Sequence, residues 1–193
     1  MARPRTFEEA PALDAAMACF WRRGYEATSV RDLADAMGLG IPSLYNAFSD
    51  KRTLFVRALE RYMDEGARKR IARLEATLAP KEAIRRFIGE IVERSAADKD
   101  RRGCFLINSA LEVAPHDPEL GEEIAKRLGE VEDFFFRSIK AGQATGAIPR
   151  ERNARDLARL LLGVLLGIRV LARSKPNRAL LEGVARPALA LLD

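Results

Sequence analysis

The chain has 193 residues and a mass of 21.5 kDa, with 48% hydrophobic and 32% charged residues. That is enough for one domain, or two small ones sharing a core, able to bury apolar side chains and stay in water. Two Cys exclude a disulfide framework, and no C-x-x-C pair offers a zinc spacing, so neither metal nor cofactor is expected.

The stretch Met1-Ala2-Arg3-Pro4-Arg5-Thr6-Phe7-Glu8-Glu9 has no apolar signal core. The longest apolar run, Leu160 to Ile168, is nine residues and cannot span a bilayer. A soluble, reduced, cytoplasmic protein is expected. The net charge is +5, yet residues 1–60 hold eight basic and eight acidic residues, and the surplus of 25 over 20 lies in the remainder. Net charge therefore argues nothing about nucleic acid. The local pattern has to carry that case.

Leu13, Ala16, Met17 and Phe20 form an i, i+3, i+4, i+7 stripe, and Gly24 stops that first helix. Thr28 or Ser29 can cap a second helix carrying Val30, Leu33, Ala34 and Met37, which ends at Gly38. Pro42 is tolerated in the first turn of a short third helix, Ile41 to Phe48. Asp50 caps a long fourth helix from Lys51, with Leu54, Phe55, Ala58, Leu59, Tyr62 and Met63 as apolar positions. Five more helices follow: Lys81 to Ala97, Cys104 to Val113, Asp117 to about Ala141, Asn153 to Ala172, and one from Pro176 or Asn177 to near Leu192. No segment has strand periodicity. The fold class is all-α, with residues 1–50 as one unit and 51–193 as a second.

A short Gly-containing turn between the second and third helices is the spacing of a helix-turn-helix unit, and equally of an ordinary corner in a helical bundle. The residues themselves go further. Gly24-Tyr25-Glu26-Ala27-Thr28-Ser29-Val30-Arg31-Asp32-Leu33-Ala34, then Gly38-Leu39, then Ser43-Leu44-Tyr45-Asn46-Ala47-Phe48-Ser49-Asp50-Lys51 and Leu54-Phe55 stand in order without gaps. Over residues 7–60 this resembles the N-terminal domain of TetR/AcrR transcriptional regulators. The remaining residues resemble that family only in helix count and placement, apart from the segment Gly103 to Asn108.

The resemblance implies a homodimer that sets two recognition helices in successive major grooves of a near-palindromic operator of double-stranded DNA. Residues 41–48 are then the recognition helix, with Ile41, Ser43, Tyr45 and Asn46 toward DNA. A hydroxyl and a phenol suit phosphate oxygens, and an amide suits adenine. Lys51 and Thr28 match positions that meet phosphate, and Arg3 and Arg5 match a basic arm that enters the minor groove. Three departures bear on the operator bases. Gly40 stands where Ser or Asn often caps, Ile41 and Pro42 stand where Lys and Gly are frequent, and Arg52 replaces an acidic residue.

In the second unit, Phe87, Cys104, Asn108, Glu112 and Phe135 are candidate effector contacts. Asn108 and Glu112 could equally hold a buried hydrogen bond, and of Phe134-Phe135-Phe136 only one or two can share the core face. Cys104 follows Arg101 and Arg102 at a helix start, a setting that lowers a thiol pKa, although Phe105, Leu106 and Ile107 also fit a plain buried thiol. The lone His116 reads as a solvated loop residue. Gly163 and Gly167, with Leu166, Leu181 and Ala188, suit a subunit interface built from the last two helices, or a central core. No nucleophile elbow, metalloprotease motif or phosphate loop is present, so an enzyme is not expected. The function expected is a repressor released by a small-molecule or reactive effector. The alternatives are a helical protein-interaction module and, more remotely, a thiol-active enzyme on Cys104.

Overall fold

The computed structural model describes residues 7–193. α1 (Glu9–Arg23) begins on an acidic residue and ends on Arg22 and Arg23, so both termini complement the helix dipole. Its stripe of Leu13, Ala16 and Phe20 is buried, and Gly24 at φ 85° turns the chain out of it.

α2 (Val30–Met37) opens on a reciprocal capping box. Ser29 Oγ accepts the Asp32 N–H at 3.1 Å, and an Asp32 oxygen accepts the Ser29 N–H at 3.0 Å. Hydrogen bonds from Ser29, then from Arg23, hold the Asp32 carboxyl down to about 2. Its folded value lies below its ordinary 3.8, so its contribution is complete above 3.8 and fades as pH falls toward 2. Amide exchange in α2 should accelerate across that acid window, and Asp32→Asn should flatten the profile. Identical acid profiles for the two proteins would remove this role for the cap.

At its far end α2 closes with both bonds of a Schellman motif: Leu39 N–H to Ala34 O at 2.9 Å and Gly38 N–H to Asp35 O at 3.3 Å. Gly38 takes φ 64°, the conformation the motif needs. Three residues separate α2 from α3 (Ile41–Phe48), which has Pro42 in its first turn. α4 (Lys51–Met63) is capped by Asp50, whose Oδ1 accepts the Thr53 N–H at 2.6 Å.

The expected fourth helix does not end with its apolar stripe. It passes through a π turn over Asp64–Arg68 and continues as α5 (Lys69–Thr77). Then come α6 (Pro80–Ala97), α7 (Phe105–Glu112), α8 (Pro118–Ala144), α9 (Ala154–Ser174) and α10 (Arg178–Ala190). α1 packs on α2 and α4, while α8 lies between α6 and α9, and α10 covers α6 and α9. That sandwich explains why adjacent Phe134 and Phe135 are both fully buried, although they point about 100° apart. Both rings meet Phe87 of α6, at 5.1 and 5.6 Å.

The N-terminal helices join the rest through an aromatic cluster. The Phe55 ring lies 5.1 Å from Phe20, 4.7 Å from Tyr25 and 5.6 Å from Phe105 of α7. Polar ties surround it. Arg52 reaches the α8 cap Asp117 at 2.7 and 2.9 Å and Glu119 at 2.7 Å. The Glu26 N–H donates to Glu112 at 3.1 Å, and Trp21 Nε1 donates to the Arg102 carbonyl at 3.1 Å. Further along α4, Glu60 accepts from both Arg68 and the buried Arg127, tying α4 to α8. Among the described residues no helix is long and apolar enough to cross a membrane.

Candidate nucleic-acid interface and effector cavity

The amphipathic split of α3 is complete within its eight residues. Leu44 and Phe48 point into the core, while Ser43 and Asn46 are exposed and Ile41 and Tyr45 are 43% and 45% accessible. Ile41 and Tyr45, one turn apart, put an apolar side chain and a phenol on the same open side as these polar groups. Just beyond, Ser49 adopts φ 63° and ψ −55°, and the Asp50 N–H reaches back to Phe48 O at 2.7 Å. This is a γ-turn of the strained, positive-φ kind. It stops α3 abruptly and starts α4 at once, which brings Lys51 beside the end of α3. The Lys51 ammonium lies 4.3 Å from the centre of the Tyr25 ring.

One of the expected contacts is altered. Thr28 is fully buried, and its hydroxyl donates to Gly24 O at 2.6 Å, so that hydroxyl is a strut of the α1–α2 corner and not a free donor. Arg3 and Arg5 lie outside the described residues. Sequence reasoning also passed over Arg31, exposed in the first turn of α2 and without an ion pair among the described residues. Its position beside a helix N-terminus was the available signal.

A second feature lies on the other side of the aromatic cluster. A cavity of about 700 Å³ is bounded by Met17 and Trp21 of α1, Tyr62 of α4, the π turn at Glu65 to Ala67, and Arg70 of α5. Phe87 and Ile91 of α6, Leu128 and Val131 of α8, and Leu162 to Arg169 of α9 complete it. Such a volume and mixed lining suit a small organic ligand. Cys104 is on its wall, half-buried, and its Sγ accepts the Tyr62 hydroxyl at 3.3 Å. Burial pushes the Tyr62 phenol well above its ordinary range, with the neighbouring Cys104 as the next cause.

The other effector candidates fall elsewhere. Phe135 is core packing against Phe87. Asn108 turns away to clamp the Arg102 carbonyl at 2.9 Å, and Glu112 takes the Glu26 N–H, so both hold loops together. The two arginines expected to charge the setting of Cys104 make other contacts. The Arg102 guanidinium lies 4.9 Å over the Trp21 ring, and Arg101 donates to Ser174 O at 3.4 Å. Cys19 is buried in α1, and His116 is exposed in its loop.

Residues 12–58 match the family model described as bacterial regulatory proteins, tetR family, and residues 80–187 match that of the tetracyclin repressor-like C-terminal domain. The chain belongs to the tetR family. It is accordingly a DNA-binding transcriptional regulator, a class without enzymatic activity. It is 32% identical to the uncharacterized HTH-type transcriptional regulator YezE of Bacillus subtilis (strain 168) over the full length of both. It is also 32% identical to the HTH-type transcriptional repressor ComR of Escherichia coli (strain K12), over 98% of this chain and 90% of that one. Among solved structures, a cysteine mutant of the TetR family regulator CifR, complexed with 26-base-pair operator DNA, superposes with a TM-score of 0.88. That likeness covers 99% of this chain and 100% of the other, at 32% identity.

In this tetR-family chain the last two helices are only partly covered. Leu160, Gly163, Gly167 and Val170 recur at helical spacing along one side of α9, all of them exposed or half-exposed. Leu180, Gly183 and Pro187 do the same on α10. A Cβ added at Gly163 or Gly167 would meet nothing within 4 Å, so neither glycine serves close packing inside the subunit. The other residues assigned to an interface sit inward. Leu181 and Ala188 are buried in the subunit core, and Leu166 lines the cavity. On α10 the open side is that of Leu180, Gly183 and Pro187, distinct from that of the buried Leu181 and Ala188.

Proposed function

We propose that the chain is a ligand-responsive repressor, holding its operator as a homodimer and releasing it when a small molecule fills the cavity beside Tyr62. It would act in the cytoplasm, where its DNA lies. The observation that carries this reading is the outward face of α3, where Ser43, Tyr45 and Asn46 stand exposed ahead of the strained turn at Ser49 that leads into Lys51. In this reading residues 1–50 read DNA, with Ile41 against a thymine methyl, Asn46 against a base edge, and Tyr45, Lys51 and Arg31 against phosphate. Arg3 and Arg5 follow the minor groove. Thr28 shapes the corner and offers no hydroxyl. Residues 51–193 form the ligand and dimer unit, paired through the open sides of α9 and α10. The repressor name of ComR and the operator complex of CifR support the sign and the partner.

α4 carries the signal, because it holds Lys51 at one end and Tyr62 at the other. A hundredfold loss of operator affinity needs a coupling of about 2.7 kcal/mol, within the usual range for allostery. The test is binding to DNA upstream of the chain's own gene, with a salt titration. Sequence-selective binding that weakens with salt supports the repressor, and unselective binding favours an interaction module. Tyr45→Ala should cost about 1–3 kcal/mol of operator affinity and leave the helical melt in place. Leu44→Ala should instead lower the melt, since Leu44 is fully buried. If Tyr45→Ala unfolds the chain while Leu44→Ala is silent, the assigned face of α3 is wrong.

A further inference from the structure

The cavity wall carries more positive charge than its acids can balance. Arg70, Arg94 and Arg169 reach it from α5, α6 and α9. The acidic residues on the same wall are already engaged. Glu65 pairs with Arg61 at 3.1 Å and also with Lys69. Asp98 accepts the Gly103 N–H at 3.2 Å, and Asp100 lies 3.7 Å from Arg102. Arg70 has Glu90 at 3.1 Å, but that carboxylate is shared with Arg73 at 2.7 Å and Arg86 at 3.0 Å. Arg169 has a neutral partner, the Ser95 hydroxyl at 3.2 Å. Among the described residues neither Arg169 nor Arg94 has an ion pair. Burial, then the charges of Arg94 and Arg169, depress the Arg70 pKa against the pull of Glu90. Three guanidinium groups therefore line the cavity, and among the described residues the one carboxylate ion-paired with any of them, Glu90, is shared with Arg73 and Arg86.

We infer that the ligand of this cavity is an organic anion with an apolar body, its carboxylate seated on Arg169 and Arg94. The inference rests on the reading that this cavity is the effector's. Two features of the wall separate the ends of such a molecule. Phe87, Ile91, Leu106, Val131, Leu162 and Leu165 are apolar and suit an aryl ring or an acyl chain. The planar forks of Arg169 and Arg94 suit a carboxylate, which removes a like-charge repulsion when it arrives. Arg94 and Lys99 are exposed as well as lining, so they mark the side from which the anion comes. A cationic ligand meets the opposite situation, because every acid on the wall would have to leave an existing partner.

Isothermal titration of the full chain decides the matter, with decanoate and 2-naphthoate set against their methyl esters and against decylammonium. The acids should bind at least about tenfold more tightly than the esters, the spread that one charge-assisted bidentate contact supplies. Arg169→Gln should erase that preference, and Arg169→Lys should keep part of it. Arg94→Gln, at an exposed position, gives the same reading should Arg169→Gln fail to fold. Esters or the amine binding as well as the acids would overturn the inference. So would the absence of binding by both acids, or an unchanged preference in a folded Arg169→Gln or Arg94→Gln. Release of labelled operator is followed in parallel. An acid that binds without releasing DNA upholds the ligand class and defeats the effector reading of the cavity.

Discussion

Phe55→Ala should cost about 3–5 kcal/mol of unfolding free energy, a large share of the 5–15 kcal/mol that domains of this kind possess. The side chain is 1% exposed, and its ring touches Phe20 of α1, Tyr25 of the following loop and Phe105 of α7. Truncation removes contacts to α1, to the loop after it and to the distant α7, so the cavity left behind cannot close by a small shift of one helix. Denaturant unfolding at a fixed protein concentration measures the loss, since dimer formation makes apparent stability depend on concentration. A cycle with Phe105→Ala isolates the pair. The two rings stand edge to face at 85°, which predicts a coupling of about 0.5–1.5 kcal/mol beyond burial. A loss below about 1 kcal/mol for Phe55→Ala, or strict additivity with Phe105→Ala, would show that this cluster does not join the two units.

The same cluster marks what could be read in advance. Helix order and most helix starts were legible because they rest on local chemistry. Asp50, Asp117, Asn153 and Asn177 each cap the helix expected of them, with a side-chain oxygen on a backbone N–H. The outward face of α3 was legible too, because an eight-residue helix with Leu44 and Phe48 inward leaves Tyr45 and Asn46 no other direction. Contacts between distant segments were not. Nothing near Glu112 announces that it holds the Glu26 N–H, and nothing near Arg52 announces Asp117, 65 residues away. Arg52 read as a departure from an acidic pattern, yet it is the cation that ties α4 to the cap of α8.

The π turn was equally silent. Asp64 to Arg68 interrupts the helix without a proline, and Gly66 was the only local hint. Its position is informative all the same, since π turns are frequent at functional sites, and this one forms part of the cavity wall. In the C-terminal unit three of the five effector candidates lie along α7, and a short helix has several faces. Cys104 at its cap meets the cavity, while Asn108, one turn on, clamps the loop before α7 and Glu112, two turns on, holds the loop between α1 and α2.

Gly167→Leu should leave the subunit folded and abolish the dimer, with operator binding lost in consequence. A Cβ at this position meets nothing within 4 Å in the subunit, so the larger side chain is accommodated there without strain. Replacing a mid-helix glycine also favours the helix itself, by up to about 1 kcal/mol. Any loss must therefore arise where a second subunit covers α9. Gly163 and Gly167 are four residues apart on one side, flanked by Leu160 and Val170 at 43% and 48% exposure. Two helices meeting over such glycines approach closely, and a leucine side chain on each would hold them apart. One half-site alone recovers little of the operator affinity, so a loss of at least about a hundredfold is expected at low protein concentration. Sedimentation velocity measures the assembly, and an operator titration run at rising concentration measures its consequence. A monomer at low concentration that regains operator binding when concentrated is the expected behaviour, because the α3 surface is untouched. An intact dimer with wild-type affinity would remove α9 from the interface.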